Sequence, residues 1–300
     1  MENKFHNSVL LKESVEGLNI KKEGVYVDAT FGGGGHSKEI LKLLSNGQLL
    51  AFEQDEDAWK NKINDKRFIL IKQNFRNLKK ALKEIDVKKV DGLLADLGVS
   101  SHQFDTAERG FSTRFEAILD MRMSKEAEMT AAEILNEYDK GDLKKVFKEY
   151  GELENASAIA KEITVRTGKK KIQRVSELKE ILKGFAKHGK ENQFFAQVFQ
   201  ALRIETNDEL NALKDLLKQS AEIIEKGGRL VVISYHSLED RLVKKFIRSG
   251  KFEGEVEKDF YGNTITPFKQ VNKKIIQPGE KEIKNNPRAR SAKLRIAEKL

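Results

Sequence analysis

The chain has 300 residues, 39% of them hydrophobic and 34% charged, with no cysteine. Such a hydrophobic fraction excludes a disordered chain, and the missing cysteine excludes disulfides, Cys-ligated zinc and thiol catalysis, so a cytoplasmic location is the default. No apolar run reaches the roughly 18 residues of a membrane span, no secretory signal is expected at Met1 to Leu11, and the net charge of +9 suits either a lysine-rich surface or a polyanionic partner.

In chain order, Gly24 to Ala29 reads as a short buried strand, and the glycines Gly32 to Gly35 punctuate it. Ser37 to Leu44 then has the apolar spacing of a helix. Gln48 to Phe52 is a second strand, Asp57 to Ile63 a helix, and Phe68 to Ile71 a third strand. Leu78 to Ile85 is a helix and Val90 to Leu97 a fourth strand. This alternation predicts a parallel sheet with helices on both faces. It stops near Ser101. From there to Thr206 the segments 131–135, 143–150, 156–164, 175–185 and 194–204 carry helical periods between basic loops. Asn207 to Ile224 is a long helix stopped by Lys226-Gly227-Gly228. Arg229 to Ser234 is a fifth strand, Leu238 to Arg248 a helix, and Ala292 to Ala297 a candidate last strand; 252–266 is ambiguous. The three prolines, Pro267, Pro278 and Pro287, all fall in the last third, the least regular part. The expected fold class is α/β, a sheet interrupted by helices.

The glycine loop lets the backbone turn sharply and approach a ligand, and the next helix presents its N–H groups there. The rival is an ordinary tight turn. No Gly-Lys-Ser/Thr closes the loop, so it is not a Walker A motif; dinucleotide and S-adenosylmethionine sites both remain. Asp28 ends the first strand, where ligands of open α/β sheets bind. Glu53 follows Gly35 at about the spacing at which an acid meets a ribose, and its two oxygens suit a diol. Asp55, Glu56 and Asp57 read as caps of the next helix. Phe75 either covers an adenine or fills the core. Asp96 either holds a cofactor amine or the reacting base, or anchors a loop. Tyr235 and His236 border the same rim and suit a base or phosphate, with Ser237 able to cap the helix behind them. A Ser-His-Asp hydrolase is excluded, because His236 and Ser237 are adjacent and no Gly-x-Ser-x-Gly elbow exists. The five histidines make no His-x-x-x-His pair, so no metal is expected. Between Arg166 and Lys190 stand nine Lys or Arg and two acids; Lys269 to Leu300 holds ten and three. Such clusters suit phosphates. In Asn286 to Arg295 basic and small residues alternate, so a strand there puts Arg288 and Arg290 on one face, as a phosphate clamp or a solvated edge.

Taken together these residues resemble the bacterial 16S rRNA (cytosine-N4)-methyltransferase family, RsmH or MraW. The likeness runs from His6-Asn7-Ser8-Val9-Leu10-Leu11 through Asp28 to Ser37, Asp96 to Ser101 with Gln103, and Glu108 to Ser112. It continues at Leu119 to Met123, Phe199 to Ile204, Ser234 to Arg241 and Asn286 to Arg295. It implies a Rossmann-like class I methyltransferase sheet formed by 1–103 and 207–300, with an inserted helical substrate-recognition domain at 104–206. It implies the cofactor S-adenosylmethionine, held by Gly34, Gly35, His36, Glu53, Phe75, Asp96 and Gln103. The implied substrate is N4 of one cytidine in the decoding region of 16S rRNA, within the small ribosomal subunit, with Arg109, Arg288, Arg290 and Lys293 as RNA contacts. A homodimer is compatible with it and a membrane is not expected. Asp96 or a nearby carbonyl would accept from the cytosine amine, and Phe111, Tyr235 or His236 would stack on the ring, the base being unpaired or flipped. Glu53 stands where the family more often has Asp, Ala117-Ile118 replaces Gly-Pro, and 192–198 replaces a more basic stretch. The alternatives from other classes are an NAD-dependent oxidoreductase and a non-catalytic rRNA-binding assembly factor.

Overall fold

A computed structural model describes residues 8–272 and 274–300. His6 and Asn7 of the first family block lie outside the described residues. In chain order, α1 (Leu11–Gly17) precedes β1 (Val25–Asp28), α2 (Gly35–Leu43), β2 (Gln48–Phe52), β3 (Phe68–Ile71), α3 (Leu78–Glu84) and β4 (Val90–Asp96). A helical run follows: α4 (Ser101–Asp105), α5 (Ala131–Glu137), α6 (Lys140–Glu149), α7 (Ala156–Thr167), α8 (Val175–Leu182) and α9 (Glu191–Asn207). Then come α10 (Glu209–Ile223), β5 (Ile224–Ser234), α11 (Ser237–Ser249), β6 (Phe268–Gln270), α12 (Glu280–Asn285) and β7 (Lys293–Lys299). Two compact units result, one of residues up to Gly98 with Leu210–Leu300, the other Val99–Glu209.

The first unit is built on a sheet of order β3-β2-β1-β4-β5-β7-β6. β1 to β5 run parallel; β7 is antiparallel to β5 and to β6. Successive residues alternate between faces, as a pleat requires. Val27, Leu50, Phe52, Leu93, Leu230 and Val232 bury toward Leu78 and Leu82 of α3, Leu213 and Leu217 of α10, and Phe246 of α11. Tyr26, Leu49, Leu94, Val231 and Ile233 bury on the other face with Val15 of α1 and Ile40 and Leu41 of α2. Both faces are covered, which explains why the strands read as unbroken apolar runs. β1 sits between β2 and β4, so the chain leaves it in two directions and opens a crevice at the strands' carboxyl ends.

Several local readings are corrected. The 57–63 segment is a 3₁₀ helix, Glu56–Asn61, capped by Asp55, whose carboxylate accepts from Asp57 N at 3.0 Å. The expected 207–224 helix is α10, which starts two residues later: α9, the expected 194–204 helix, runs on to Asn207, and Asp208 takes a left-handed φ of 48° between the two. Gly227-Gly228 is not a helix stop but an irregularity inside β5, where the pairing with β4 shifts register between Val90 and Gly92. Pro287–Ser291 is a 3₁₀ helix, not a strand. There, residues two apart do not share a face.

The second unit has its own core, with Leu119, Ile134, Leu143, Phe147, Ile159, Leu178 and Leu202 fully buried. It surrounds the loop that carries Arg109 to Met123. Gly110 has φ 72°, and a Cβ on it would meet the Ile118 carbonyl oxygen at 2.3 Å. Main chain cannot swing aside as a flexible side chain would. Gly110→Ala is therefore expected to cost about 2 kcal/mol or more, counting left-handed strain alone at about 1–2 kcal/mol. Urea unfolding checks it; an unchanged midpoint defeats the argument.

Candidate active site

The carboxyl ends of adjacent strands deliver the chemical groups in spatial order: Phe75 beyond β3, Glu53 beyond β2, the glycine loop beyond β1, Asp96 at the end of β4 and Tyr235 beyond β5. With strands about 4.8 Å apart, this row spans roughly 19 Å, long enough for an elongated ligand.

The loop after β1 is formed by conformation and by anchoring. Gly32 and Gly34 have φ of 51° and 75°, which only glycine adopts at little cost. The Gly32 carbonyl accepts from Asn61 Nδ2 at 3.1 Å. Among the described residues a Cβ on Gly33 would meet nothing within 4 Å, so the backbone lies bare at that residue, whereas one on Gly34 would meet the Phe31 ring at 2.9 Å and one on Gly35 the Ser8 hydroxyl at 2.0 Å. Among the described residues no side chain caps α2, which leaves its first N–H groups able to take a ligand's carboxylate. Asp28 is buried behind the loop. It accepts from Ser37 Oγ at 2.7 Å and from Thr30 N at 3.1 Å, which ties the strand end to α2. Burial raises its pKa.

Glu53 Oε2 accepts from Gly32 N at 2.8 Å, and Oε1 accepts from Asp55 N at 2.7 Å. Each oxygen keeps a second lone pair, enough for two ligand hydroxyls. Burial pushes this carboxyl up to about 7, opposed by those two N–H donors. Trp59 Nε1 donates to the Glu53 carbonyl at 3.1 Å. Phe75 opens a short 3₁₀ turn and packs, half-buried, on the sheet core, so a ring that lines the core also borders the rim.

Asp96 leaves 22% of its side chain exposed. Tyr235 Oη donates to its Oδ1 at 2.7 Å, and His36 Nδ1 lies 3.9 Å from its Oδ2. Its main chain donates to Thr30 Oγ1 at 2.7 Å. Burial lifts its pKa to about 6, with His36 and Tyr235 opposing and the charges of Asp28 and Glu239 adding. Burial also raises the Tyr235 phenol, which therefore stays protonated and donates. His36 is buried, with Nε2 3.2 Å from the Val9 carbonyl oxygen.

The fold brings together six of the sequence-predicted residues: Gly34, Gly35, His36, Glu53, Asp96 and Tyr235. Phe75 adjoins them. Gln103 belongs to the second unit, where its carboxamide accepts from Ser100 N at 3.0 Å in a capping box. His236, not Ser237, is the N-cap of α11. Arg109 donates to the carbonyls of Arg122 and Met123 at 2.7 and 3.1 Å, which staples its loop. Lys293 Nζ lies 3.6 Å from Asp240. Arg288 and Arg290 are exposed but sit on a 3₁₀ turn, so the strand-based clamp is not formed. Sequence reasoning missed Thr30, Trp59 and Glu239. Only Glu239 had a signal, three residues after the helix cap.

Residues 3–300 match the model of the MraW methylase family. The chain belongs to that family. A ribosomal RNA small subunit methyltransferase H from Flavobacterium psychrophilum is 60% identical over 97% of this chain and all of its own. One of the same name from Flavobacterium johnsoniae is 57% identical over 99% and 98%. A solved rRNA methylase from Streptococcus thermophilus aligns over 98% of both chains at 13% identity, with a TM-score of 0.44. Membership in this methylase family makes the chain an enzyme and removes both the oxidoreductase and the non-catalytic alternatives. Its cofactor is S-adenosylmethionine, and the donor set fits: a carboxylate with spare lone pairs for the ribose, bare glycine backbone and an uncapped helix for the amino-acid end. Among the described residues no helix is long and apolar enough to cross a membrane.

Proposed function

We propose that this methylase acts on ribosomal RNA of the small subunit, at N4 of a cytidine in the decoding region. The observation that carries the reading is Asp96. One of its oxygens takes the Tyr235 hydroxyl, and the group stands partly exposed at the β4–β5 end of the row, away from the ribose acid. A carboxylate there accepts hydrogen bonds from an exocyclic amine, which a ring carbon cannot donate. Both relatives described above carry the small-subunit name, which supports the RNA assignment.

Bound at the rim, S-adenosylmethionine supplies an activated sulfonium methyl. The chain's own task is orientation. Asp96 accepts from the amine, holding its nitrogen lone pair toward the methyl. Tyr235 holds Asp96 through its hydroxyl, and both it and the nearby His36 favour the ionised form. Glu53 and the glycine backbone hold the ribose and the amino-acid end. The target base is unpaired or flipped, since N4 is otherwise engaged in a pair. The helical unit, with Lys169, Lys171 and Lys190 exposed, serves RNA recognition through phosphates. Arg288, Arg290 and Lys293 add to that contact from the tail.

Purified protein, methyl-labelled S-adenosylmethionine and small-subunit particles lacking the mark are expected to give labelled N4-methylcytidine on nuclease digestion. Label at another base position, or on protein alone, overturns the assignment.

A further inference from the structure

The turn between β5 and α11 is held by a buried carboxylate to which no role has been given. Glu239 is 3% exposed. Its Oε2 accepts from the main-chain N–H of Tyr235 at 2.8 Å and of His236 at 3.3 Å. Its Oε1 lies 3.2 Å from His236 Nε2. These are the two residues just ahead of the helix, so Glu239 reaches back across the turn. The neighbouring Asp240 accepts from Arg295 Nε at 2.7 Å, bolting the first turn of α11 to β7. Tyr235 is thus clamped at its backbone and aimed at Asp96. Its ring lies beside Gly98, where a Cβ would come within 3.4 Å.

We propose that Glu239 is a positioning residue of the methyl-transfer site: its carboxylate fixes the Tyr235–His236 main chain, and through it the Tyr235 hydroxyl on Asp96. This rests on the reading of Asp96 given above. A carboxylate in the first turn of a helix also complements the helix dipole, and that alone accounts for a gain in stability. Positioning and plain helix stabilisation differ in one respect. Only positioning makes the value of the Tyr235 hydroxyl depend on Glu239.

The test is a double-mutant cycle read in kcat on undermethylated small-subunit particles. Tyr235→Phe is expected to lower kcat about tenfold or more in the wild-type background, as removal of a hydrogen bond to a charged acceptor should. Glu239→Ala is expected to lower kcat by a similar factor, and Tyr235→Phe added to it should cost less than about twofold. Glu239→Gln keeps an acceptor for the two amides and is expected to restore both kcat and the Tyr235→Phe cost. If Glu239→Ala does not fold, Glu239→Asp replaces it: the shorter acid still suits a first helical turn but withdraws from the two amides. It is expected to behave like the alanine variant in the cycle. An equal Tyr235→Phe cost in the wild-type and the Ala or Asp backgrounds overturns the inference, as does a silent Tyr235→Phe in the wild type. Wild-type protein that transfers no label to cytidine N4 fails the functional reading instead, so the two failures are distinguishable.

Discussion

Asp96→Asn is expected to lower kcat about 100- to 1000-fold, the range seen when one preorganised polar group at a reacting centre is removed, while the affinity for S-adenosylhomocysteine changes less than about threefold. The asymmetry follows from where Asp96 sits. In the proposed reading the ribose falls to Glu53 at the end of β2, two strands away in the sheet order. Asp96 shares its end of the row with Tyr235, whose hydroxyl occupies one of its oxygens at 2.7 Å. An asparagine can keep that contact through its carbonyl oxygen, but it turns an NH₂ group toward the incoming amine, donor against donor. The same reasoning sets the pH profile. Burial holds Asp96 at about 6, and the ionised form is the acceptor, so kcat falls as pH drops through 6. Around this carboxyl, His36 and Tyr235 favour ionisation, while Asp28 and Glu239 oppose it. Tyr235→Phe removes a favouring group and moves the acid limb upward. Stability has the opposite sign. A carboxyl raised in the folded state binds its proton more tightly there than when unfolded, so its contribution is lost as pH rises through 6. Asp96→Asn therefore melts at or above the wild-type temperature at pH 7, and its loss of activity is not unfolding. Label transfer with saturating cofactor measures the rate; full turnover in the variant removes Asp96 from the mechanism.

The sheet was legible in the sequence because β1 to β5 are buried on both faces and their apolar runs alternate with helical periods. The glycine loop and Glu53 were legible because both follow strand ends at a characteristic spacing. The contact between Asp96 and Tyr235 was not, although each residue was singled out. They stand 139 positions apart, and only the pairing of β4 with β5, Asp96 against Ile233, brings them together. Sequence periodicity names strands but not neighbours. The tail failed for a different reason. The alternation of Arg288, Ala289 and Arg290 imitates a strand, yet Pro287 opens a 3₁₀ helix and Asn286 caps it through Arg288 N at 3.3 Å. Asn followed by Pro is itself a helix-start signature, and the buried Ala289 faces the core. Short elements such as β6, with three residues, carry too few positions to show any period.

Glu53→Ala is expected to weaken S-adenosylhomocysteine binding about 100-fold, the equivalent of two hydrogen bonds to a charged acceptor at about 1.4 kcal/mol each. Both oxygens are already aimed by the backbone, Oε2 by Gly32 N at 2.8 Å and Oε1 by Asp55 N at 2.7 Å. A diol therefore meets an acceptor that needs no reorganisation, and little entropy is lost in closing the contact. Burial has carried the carboxyl to about 7, with the charges of Asp55 and Asp28 adding to the shift. The ligand-free protein therefore binds a proton here far more readily near neutral pH than an ordinary glutamate does. Ribose hydroxyls donate, so they favour the ionised form and binding expels the remaining proton. Affinity consequently weakens as pH falls below 7, and at pH 7 the measured enthalpy of binding depends on the buffer that takes up the proton. Glu53→Ala loses that buffer dependence together with the affinity. The protein carries one tryptophan, Trp59, and its indole donates to the Glu53 carbonyl at 3.1 Å while Lys72 Nζ lies 4.4 Å from the ring. Its fluorescence reports on this carboxylate's surroundings, so one titration monitored at Trp59 and one by calorimetry in two buffers examine the same group independently. An unaltered dissociation constant in the alanine variant, or a wild-type enthalpy indifferent to buffer, rules out Glu53 as the ribose acceptor.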